Sequence, residues 1–189
     1  MQGNGEKMYQ KETTIESTDV YNGRIISVTK NTVRLENGML ADRELVHHSG
    51  GVCVIPLDGD GNVILVRQFR YPYGEALLEL PAGKLEIGET PEECGRRELL
   101  EETGTIPVQF TFLGEIYPTV AYLDERIRLF LAKGLSPAQQ KLDEDEFLDV
   151  IKMPLTQAAE LVMSGKIRDS KTQVGILKAV LLEQPPQPR

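Results

Sequence analysis

Three glutamates lie close together in the middle of the sequence. Glu101 and Glu102 follow Glu98 by three and four residues, and side chains at that spacing share one face of a helix. Like charges so close together repel each other by roughly 0.2–0.5 kcal/mol per pair. Carboxylate oxygens are ligands of hard divalent cations such as Mg²⁺. The cluster therefore predicts a metal site, whereas a helix that needed only solubility would alternate Lys with Glu.

The sequence also predicts where this helix begins and ends. Thr90 suits the N-cap position, Pro91 suits the first helical position, and Glu93 completes a capping box. Gly104 is placed to end the helix in a left-handed conformation. A loop containing several glycines precedes the helix. The pattern thus predicts a loop followed by a helix that presents carboxylates on one face.

The stretch from Gly83 to Thr105 resembles the box of Nudix hydrolases. That box reads Gly, five residues, Glu, seven residues, then Arg-Glu-aliphatic-any-Glu-Glu-any-Gly-aliphatic. The matching residues are Gly83, Glu89, Arg97, Glu98, Leu99, Glu101, Glu102 and Gly104. The last position holds Thr105 instead of an aliphatic residue, although Ile106 follows it. Because the fixed spacing agrees with the predicted helix ends, the pattern favours this family over a solvated acidic helix.

The elements around the box predict an α/β protein in two regions. Residues 1–48 contain three strand-like runs with Asn37-Gly38 as a hairpin turn, which predicts a small antiparallel sheet. Residues 49–183 contain further strands, the box helix and two final helices, and residues 184–189 are expected to be a disordered tail. The resemblance implies that residues 49–183 form the Nudix α/β/α sandwich with a mixed sheet.

The resemblance extends from about residue 13 to about residue 183 and is similar to the ADP-ribose pyrophosphatase subfamily. The stretches that carry it are RELV, RQFRYP, ELPAGKLE, DER, LDEDE and IRDSKT. It implies hydrolysis of ADP-ribose to AMP and ribose 5-phosphate with Mg²⁺, for which Mn²⁺ could substitute. It also implies a homodimer that exchanges its N-terminal sheets, which suits a small sheet with little core of its own.

The resemblance assigns metal binding to the box helix and the preceding loop. Glu98 and Glu102 would hold Mg²⁺ together with the carbonyl oxygen of Ala82, and Glu101 could reach a second ion. Such an ion would neutralise the diphosphate, which otherwise repels a nucleophile. Arg97 is expected to orient a carboxylate, the alternative being a surface ion pair.

Glu89 has two open interpretations. It could support the site as Arg97 does, or it could merely occupy the loop before the N-cap.

The attacking water needs a general base, and the resemblance places it in the run LDEDE. Glu144 matches best and is the predicted base, and Glu146 is predicted to assist with metal binding. The alternative is that this run is a solvated stretch of charge. The catalytic interpretation is favoured, since a loop can close over a substrate and exclude water.

Five further residues are predicted to contact the substrate. Arg70 would contact the diphosphate or the adenine side, Arg43 and Glu44 the adenine edge, and Arg24 would stack on the base. Glu125 would bind the terminal ribose. The first four could equally be surface charges at strand ends.

Composition limits the partners and the compartment. A net charge of −8 argues against nonspecific binding to nucleic acid or to an anionic membrane. Cys53 and Cys94 are too few for a disulfide framework and are expected to be reduced thiols. No apolar run approaches the length of a membrane span, and the start of the sequence lacks a signal-peptide core. We therefore expect a cytoplasmic protein, and the resemblance implies a small nucleoside diphosphate sugar as its substrate. The adjacent His47 and His48 lack the spacing of metal ligands and are expected to be structural.

Two alternative functions remain open. Val120 and Ala121 replace the Pro-Gly pair that the subfamily usually carries past the box. That difference leaves room for another nucleotide sugar, such as GDP-mannose. A module that senses ADP-ribose without cleaving it is less favoured, because all the carboxylates of the box are present.

Overall fold

The computed structural model describes residues 11–142 and 147–184. In it the chain divides into two units. The first unit combines the described residues up to Ser49 with Thr119–Glu125, and the second combines Gly50–Pro118 with the described residues from Arg126 onwards. No helix among the described residues is long and apolar enough to cross a membrane.

The first unit is a three-stranded antiparallel sheet. Its strands are β1 (Thr13–Asn22), β2 (Ile26–Arg34) and β3 (Leu40–His48), in the order β1-β2-β3. Gly38 has φ +83° in the turn between β2 and β3, a conformation that favours glycine. All ten residues of β1 are exposed, and Val33 is the one buried apolar residue of the unit among those described. The sheet therefore has little core of its own.

The second unit is built on a seven-stranded sheet. Its strands are β4 (Gly51–Leu57), β5 (Asn62–Arg70), β6 (Glu75–Glu79), β7 (Ala82–Lys84), β8 (Thr105–Ile116), β9 (Ile127–Pro137) and β10 (Leu148–Pro154). Its helices are α1 (Pro91–Thr103), α2 (Leu155–Met163) and α3 (Ser170–Glu183). The strand order is β10-β5-β4-β9-β8, with β6 paired to β5 and β7 to β4. Only the β4–β9 pair is parallel among the described strands, so the sheet is mixed, as predicted.

Helices cover both faces of this sheet. The packing of β4 shows this, since its side chains alternate between the two faces. Cys53 and Ile55 belong to the main core, which includes Ile176 of α3. Val52 and Val54 face the other way, where they pack with residues of α1 and β9. The α/β/α sandwich is thus confirmed, with α1 on one face and α2 and α3 on the other.

Two strands are longer than their local sequence predicts. The sequence pattern indicates strands at about 110–117 and 126–132, but β8 begins at Thr105 and β9 continues to Pro137. Thr105 pairs with Pro137 at the end of this antiparallel ladder. Proline has low strand propensity, so the extension depends on pairing between distant segments.

Candidate active site

Helix α1 has the caps that the sequence predicts. The backbone N–H of Glu93 donates to Thr90 Oγ1 at 3.3 Å, and the backbone N–H of Thr90 donates to the Glu93 carboxylate at 2.8 Å. Gly104 ends the helix with φ 62°, and its N–H donates to the carbonyl of Leu100. These local bonds fix the start of the helix and therefore the direction of every side chain along it.

Two of the three clustered glutamates are buried against strand β7. Glu98 is 8% exposed and Glu102 is 2% exposed. The backbone N–H of Ala82 donates to Glu102 Oε2 at 3.2 Å. A Cβ atom at Gly83 would lie 1.8 Å from Glu98 Oε1, so only glycine lets this carboxylate approach the strand. Both carboxylates therefore converge on the backbone of Ala82 and Gly83.

Arg97 links the box carboxylates to one another. Its Nη1 donates to Glu98 at 2.8 Å and to Glu101 at 2.9 Å, and its Nε donates to Glu89 at 2.8 Å. The hydrogen bond from Arg97 lowers the pKa of Glu89 to about 2, against a smaller opposing effect of burial. Glu89 is therefore part of this network, which supports the interpretation that it assists the site over the one in which it merely occupies the loop.

The carboxylates and the backbone of β7 fit a hard divalent cation. Arg97 donates to Glu89, Glu98 and Glu101 together, so carboxylate oxygens, the ligands that a hard cation prefers, are gathered at this face of α1. Among the described residues, no three acidic, histidine or cysteine side chains already form a metal site. Mg²⁺ does not need one, because it usually keeps several waters and binds one or two carboxylates together with substrate phosphates. Glu98 and Glu102 beside the Ala82 backbone meet that requirement.

A second group of charges lies at the end of β5 and the start of α3. We call it the Arg70–Lys171 cluster, and its members are Arg70, Glu79, Asp169, Lys171 and Thr172. Arg70 donates from Nε and Nη2 to the two carboxylate oxygens of Glu79, at 2.6 and 2.9 Å. Lys171 pairs with Glu79 and with Asp169. Arg70, which the sequence predicts to bind substrate, is therefore held by a buried carboxylate.

Sequence reasoning did not assign roles to Glu79 and Lys171. Both lie in stretches that carry the family resemblance, ELPAGKLE and IRDSKT. Asp169 is the N-cap of α3, because the Thr172 N–H donates to its carboxylate at 2.9 Å. An acidic residue at the end of a strand of otherwise apolar type was the available signal for Glu79.

The other predicted substrate residues lie in the first unit. Arg43 is exposed and pairs with Glu12. Glu44 follows Arg43 on strand β3, so the two side chains point to opposite faces of the sheet. Arg24 is exposed in the turn between β1 and β2. Glu125 lies 3.3 Å from His48 Nδ1.

The two histidines hold one segment of the first unit. His47 Nδ1 lies 2.7 Å from the carboxylate of Asp124, beside the His48–Glu125 pair. The backbone of Val46 also bonds Tyr122 and Asp124. These contacts join strand β3 to the segment that contains Val120 and Ala121.

The predicted general base is not among the residues that the structure describes. Glu144 and Glu146 both lie outside them, as does the predicted tail from residue 185 onwards. Their assignments therefore remain predictions.

Comparison with known proteins identifies relatives over nearly the whole chain. A family model for the NUDIX domain matches residues 47–172. An ADP-ribose pyrophosphatase from Bacillus subtilis (strain 168) is 40% identical over 168 residues, which are 88% of this chain and 91% of that protein. A methanol dehydrogenase activator from Bacillus methanolicus is 38% identical over 168 residues, with the same shares covered, 88% and 91%.

More distant relatives and a solved structure agree with this match. A GDP-mannose pyrophosphatase from Yersinia enterocolitica serotype O:8 is 34% identical over 142 residues, covering 69% of this chain and 73% of that protein. A crystal structure described as an ADP compounds hydrolase has a TM-score of 0.81 at 22% identity, covering 91% of this chain and 94% of that chain. At that identity the structural likeness shows the fold alone.

Proposed function

The chain belongs to the NUDIX domain family and is a Nudix hydrolase, and we propose that it cleaves the diphosphate of ADP-ribose into AMP and ribose 5-phosphate with Mg²⁺. Mn²⁺ is proposed as a substitute ion. The substrate assignment is supported by the ADP-ribose pyrophosphatase of Bacillus subtilis, which is 40% identical to this chain.

One observation supports the proposed chemistry most directly. Glu98 and Glu102 are buried one helical turn apart, and Gly83 leaves room for a carboxylate against the strand. Two buried carboxylates in such a position suit a divalent cation better than a structural ion pair. We propose that Glu98, Glu102 and the carbonyl oxygen of Ala82 hold Mg²⁺, and that Glu101 and Glu146 serve a further ion.

When bound, the cation would neutralise diphosphate oxygens and so reduce their repulsion of an incoming nucleophile. The other steps depend on side chains of the protein. Arg97 orients Glu98 and Glu101 through Nη1. Arg70 donates hydrogen bonds to the diphosphate. Glu144 removes a proton from the attacking water, whose oxygen bonds to one phosphorus while the bridging oxygen leaves with the other phosphate.

The first unit is proposed to complete the substrate site in a homodimer with exchanged N-terminal sheets. Arg43 and Glu44 would read the adenine edge, Arg24 would stack on the base, and Glu125 would contact the terminal ribose. The exposed strand β1 and the small core of this unit support a partner surface. Because side chains of Arg43 and Glu44 face opposite ways on β3, we expect only one of them to contact a given nucleotide directly.

A cytoplasmic location is proposed on the chemistry of the thiols. Cys53 and Cys94 are both free and buried, which suits a reducing compartment. Burial raises the pKa of the Cys94 thiol to about 12, so this thiol is unreactive at neutral pH.

Hydrolysis of another nucleotide sugar is the second candidate function. The similarity to a GDP-mannose pyrophosphatase supports it, as does the Val120-Ala121 sequence in the first unit. A panel of nucleoside diphosphate sugars, assayed with Mg²⁺ for the nucleotide released, separates the two. We expect AMP from ADP-ribose to form much faster than GMP from GDP-mannose, and the reverse order would favour the second candidate. Binding of ADP-ribose with no hydrolysis of any compound would instead indicate a sensing module.

A further inference from the structure

The guanidinium of Arg70 is held in place by the carboxylate of Glu79. Glu79 occupies Nε and Nη2 of the guanidinium with both of its oxygens, which is the bidentate geometry that fixes an arginine best. Nη1 has no hydrogen-bond partner among the described residues, and the Arg70 side chain is 36% exposed. One edge of the guanidinium is therefore held, and the opposite edge is open to a ligand.

The open edge belongs to the same region as the box carboxylates. Glu79, which accepts both hydrogen bonds from Arg70, lies three residues before Ala82, whose N–H donates to Glu102. Those bonds to Glu79 are also the main cause of the raised pKa of Arg70. A diphosphate held at Glu102 would therefore lie in the part of the sheet that carries Arg70.

Glu79 is itself held in place by helix α3. Its side chain is 3% exposed, and Lys171, 13% exposed, pairs with it from the first turn of the helix. Although burial by itself raises the pKa of Glu79, the bonds from Arg70 and Lys171 keep that pKa below its usual range. Burial lowers the pKa of Lys171, but Asp169 and Glu79 keep it above its usual value. All three charges therefore persist at neutral pH.

Hydrogen bonds of Thr172 complete the support. Thr172 is fully buried; its hydroxyl donates to Asp169 and accepts the N–H of Leu80 at 2.9 Å. Leu80 follows Glu79 directly, so the chain of contacts returns to the residue that holds Arg70. A side chain anchored in this way loses little further conformational freedom when it binds an anion.

We propose that Glu79 and Lys171 are positioning residues, which hold the guanidinium of Arg70 so that its Nη1 edge donates to the diphosphate of the substrate. The inference rests on the proposed function, because it names support for a residue of that site. It predicts that Glu79 acts on the substrate only through Arg70.

A double-mutant cycle of Arg70→Ala and Glu79→Gln tests this coupling. We expect each single variant to raise KM for ADP-ribose about ten-fold or more, since a charge-assisted hydrogen bond is lost, with kcat changed less than about three-fold. We expect the double variant to resemble Arg70→Ala alone, because Glu79 has nothing left to position. Independent, multiplying effects on KM would overturn the proposal.

Glu75→Gln is the matched control. Glu75 lies on the same strand β6, directly opposite Arg70 in the ladder, but pairs with the exposed Arg168. We expect its KM to equal that of the wild type. An equal rise in KM for Glu75→Gln and Glu79→Gln would contradict the assignment, since general loss of negative charge would then explain both.

Two further measurements keep the test decisive. If Glu79→Gln does not fold, Glu79→Leu with Lys171→Met replaces the buried pair by apolar side chains of similar size, a change that cores often tolerate. Its KM should rise about ten-fold or more over that of the wild type, and an unchanged KM would overturn the proposal.

Titration calorimetry with ADP-ribose in EDTA repeats the cycle without turnover. A wild type that binds ADP-ribose in EDTA but releases no AMP when Mg²⁺ is present contradicts the proposed function alone, whereas a wild type that binds no diphosphate compound contradicts both.

Discussion

Gly83 is the residue where backbone geometry limits the candidate active site most directly. A Cβ atom there would lie within 2 Å of two atoms of the Glu98 carboxyl group, at 1.8 and 1.9 Å. The obstructed group is the end of a flexible side chain, which can move without unfolding the protein. A substitution at Gly83 should therefore displace Glu98 while leaving the fold in place.

Gly83→Ala is expected to lower kcat/KM about 100-fold, because a shift of about 1 Å in a catalytic group can cost that much. It should also raise the Mg²⁺ concentration needed for half-maximal activity. Gly59→Ala is the control, since a Cβ atom at Gly59 meets nothing within 4 Å. Equal activity of the two variants in a Mg²⁺ titration would show that Glu98 needs no access to the strand.

Glu144→Gln tests the predicted general base. The amide cannot accept the proton of the attacking water, so kcat should fall by about 100-fold to 10,000-fold while substrate affinity changes little. Steady-state kinetics with ADP-ribose measure both quantities. If only affinity changes, Glu144 is not the base and Glu146 becomes the candidate.

Glu89 gives the site a defined dependence of stability on pH. Its pKa falls to about 2 in the folded chain from an ordinary value of 4.5, chiefly through the hydrogen bond from Arg97. A carboxyl group with a lowered pKa stabilises the fold above its unfolded pKa, and this contribution disappears as the pH falls towards the folded pKa. The free energy of unfolding of the wild type should therefore fall between pH 4.5 and pH 2 more steeply than that of Glu89→Gln. Denaturant titrations at several pH values measure the difference, and parallel curves would contradict the assignment.

At the residue scale, a contact between two side chains could be predicted only where the two residues are close in the sequence. Glu98, Glu101 and Glu102 are visible because helical spacing converts a local pattern into a shared face. Glu79 and Lys171 are 92 residues apart, and nothing local indicates that a strand end and a helix start will meet. Their burial, not their type, distinguishes them from surface charges.

At the scale of single elements, helix α1 carries its own boundary signals. The capping box of Thr90 and Glu93 and the left-handed Gly104 are all local, which is why the predicted helix matches the observed one. Strands β8 and β9 differ, because their extra length comes from pairing with each other.

Thr90→Ala is expected to destabilise the protein by about 1 kcal/mol, since an N-cap side chain is lost. For a chain of this size that lowers Tm by about 2–4 °C. Thermal unfolding followed by circular dichroism measures the change. Thr90→Ser, which keeps the hydroxyl, should retain the wild-type Tm, and an equal loss in both variants would show that the cap bond is not the cause.

At the scale of the whole molecule, the two units differ in how they are stabilised. The second unit has its own core between helices on both faces of a mixed sheet. The first has an exposed outer strand and one buried apolar residue among those described. The three strand-like runs and the Asn37-Gly38 turn predicted the small antiparallel sheet of the first unit, since these are local features. The joining of Thr119–Glu125 to the first unit through His47 and His48 was not predicted, because it depends on contacts between distant segments.

The central claim is that buried glutamates of α1 hold a divalent cation against a diphosphate. The most direct test is the rate of AMP release from ADP-ribose, measured across a Mg²⁺ titration for the wild type and for Glu102→Gln. We predict Mg²⁺-dependent release by the wild type and a loss of about 100-fold or more in a variant that keeps the wild-type circular dichroism spectrum, because the cation loses a charged ligand. A Glu102→Gln variant with the wild-type rate and Mg²⁺ dependence would contradict the account.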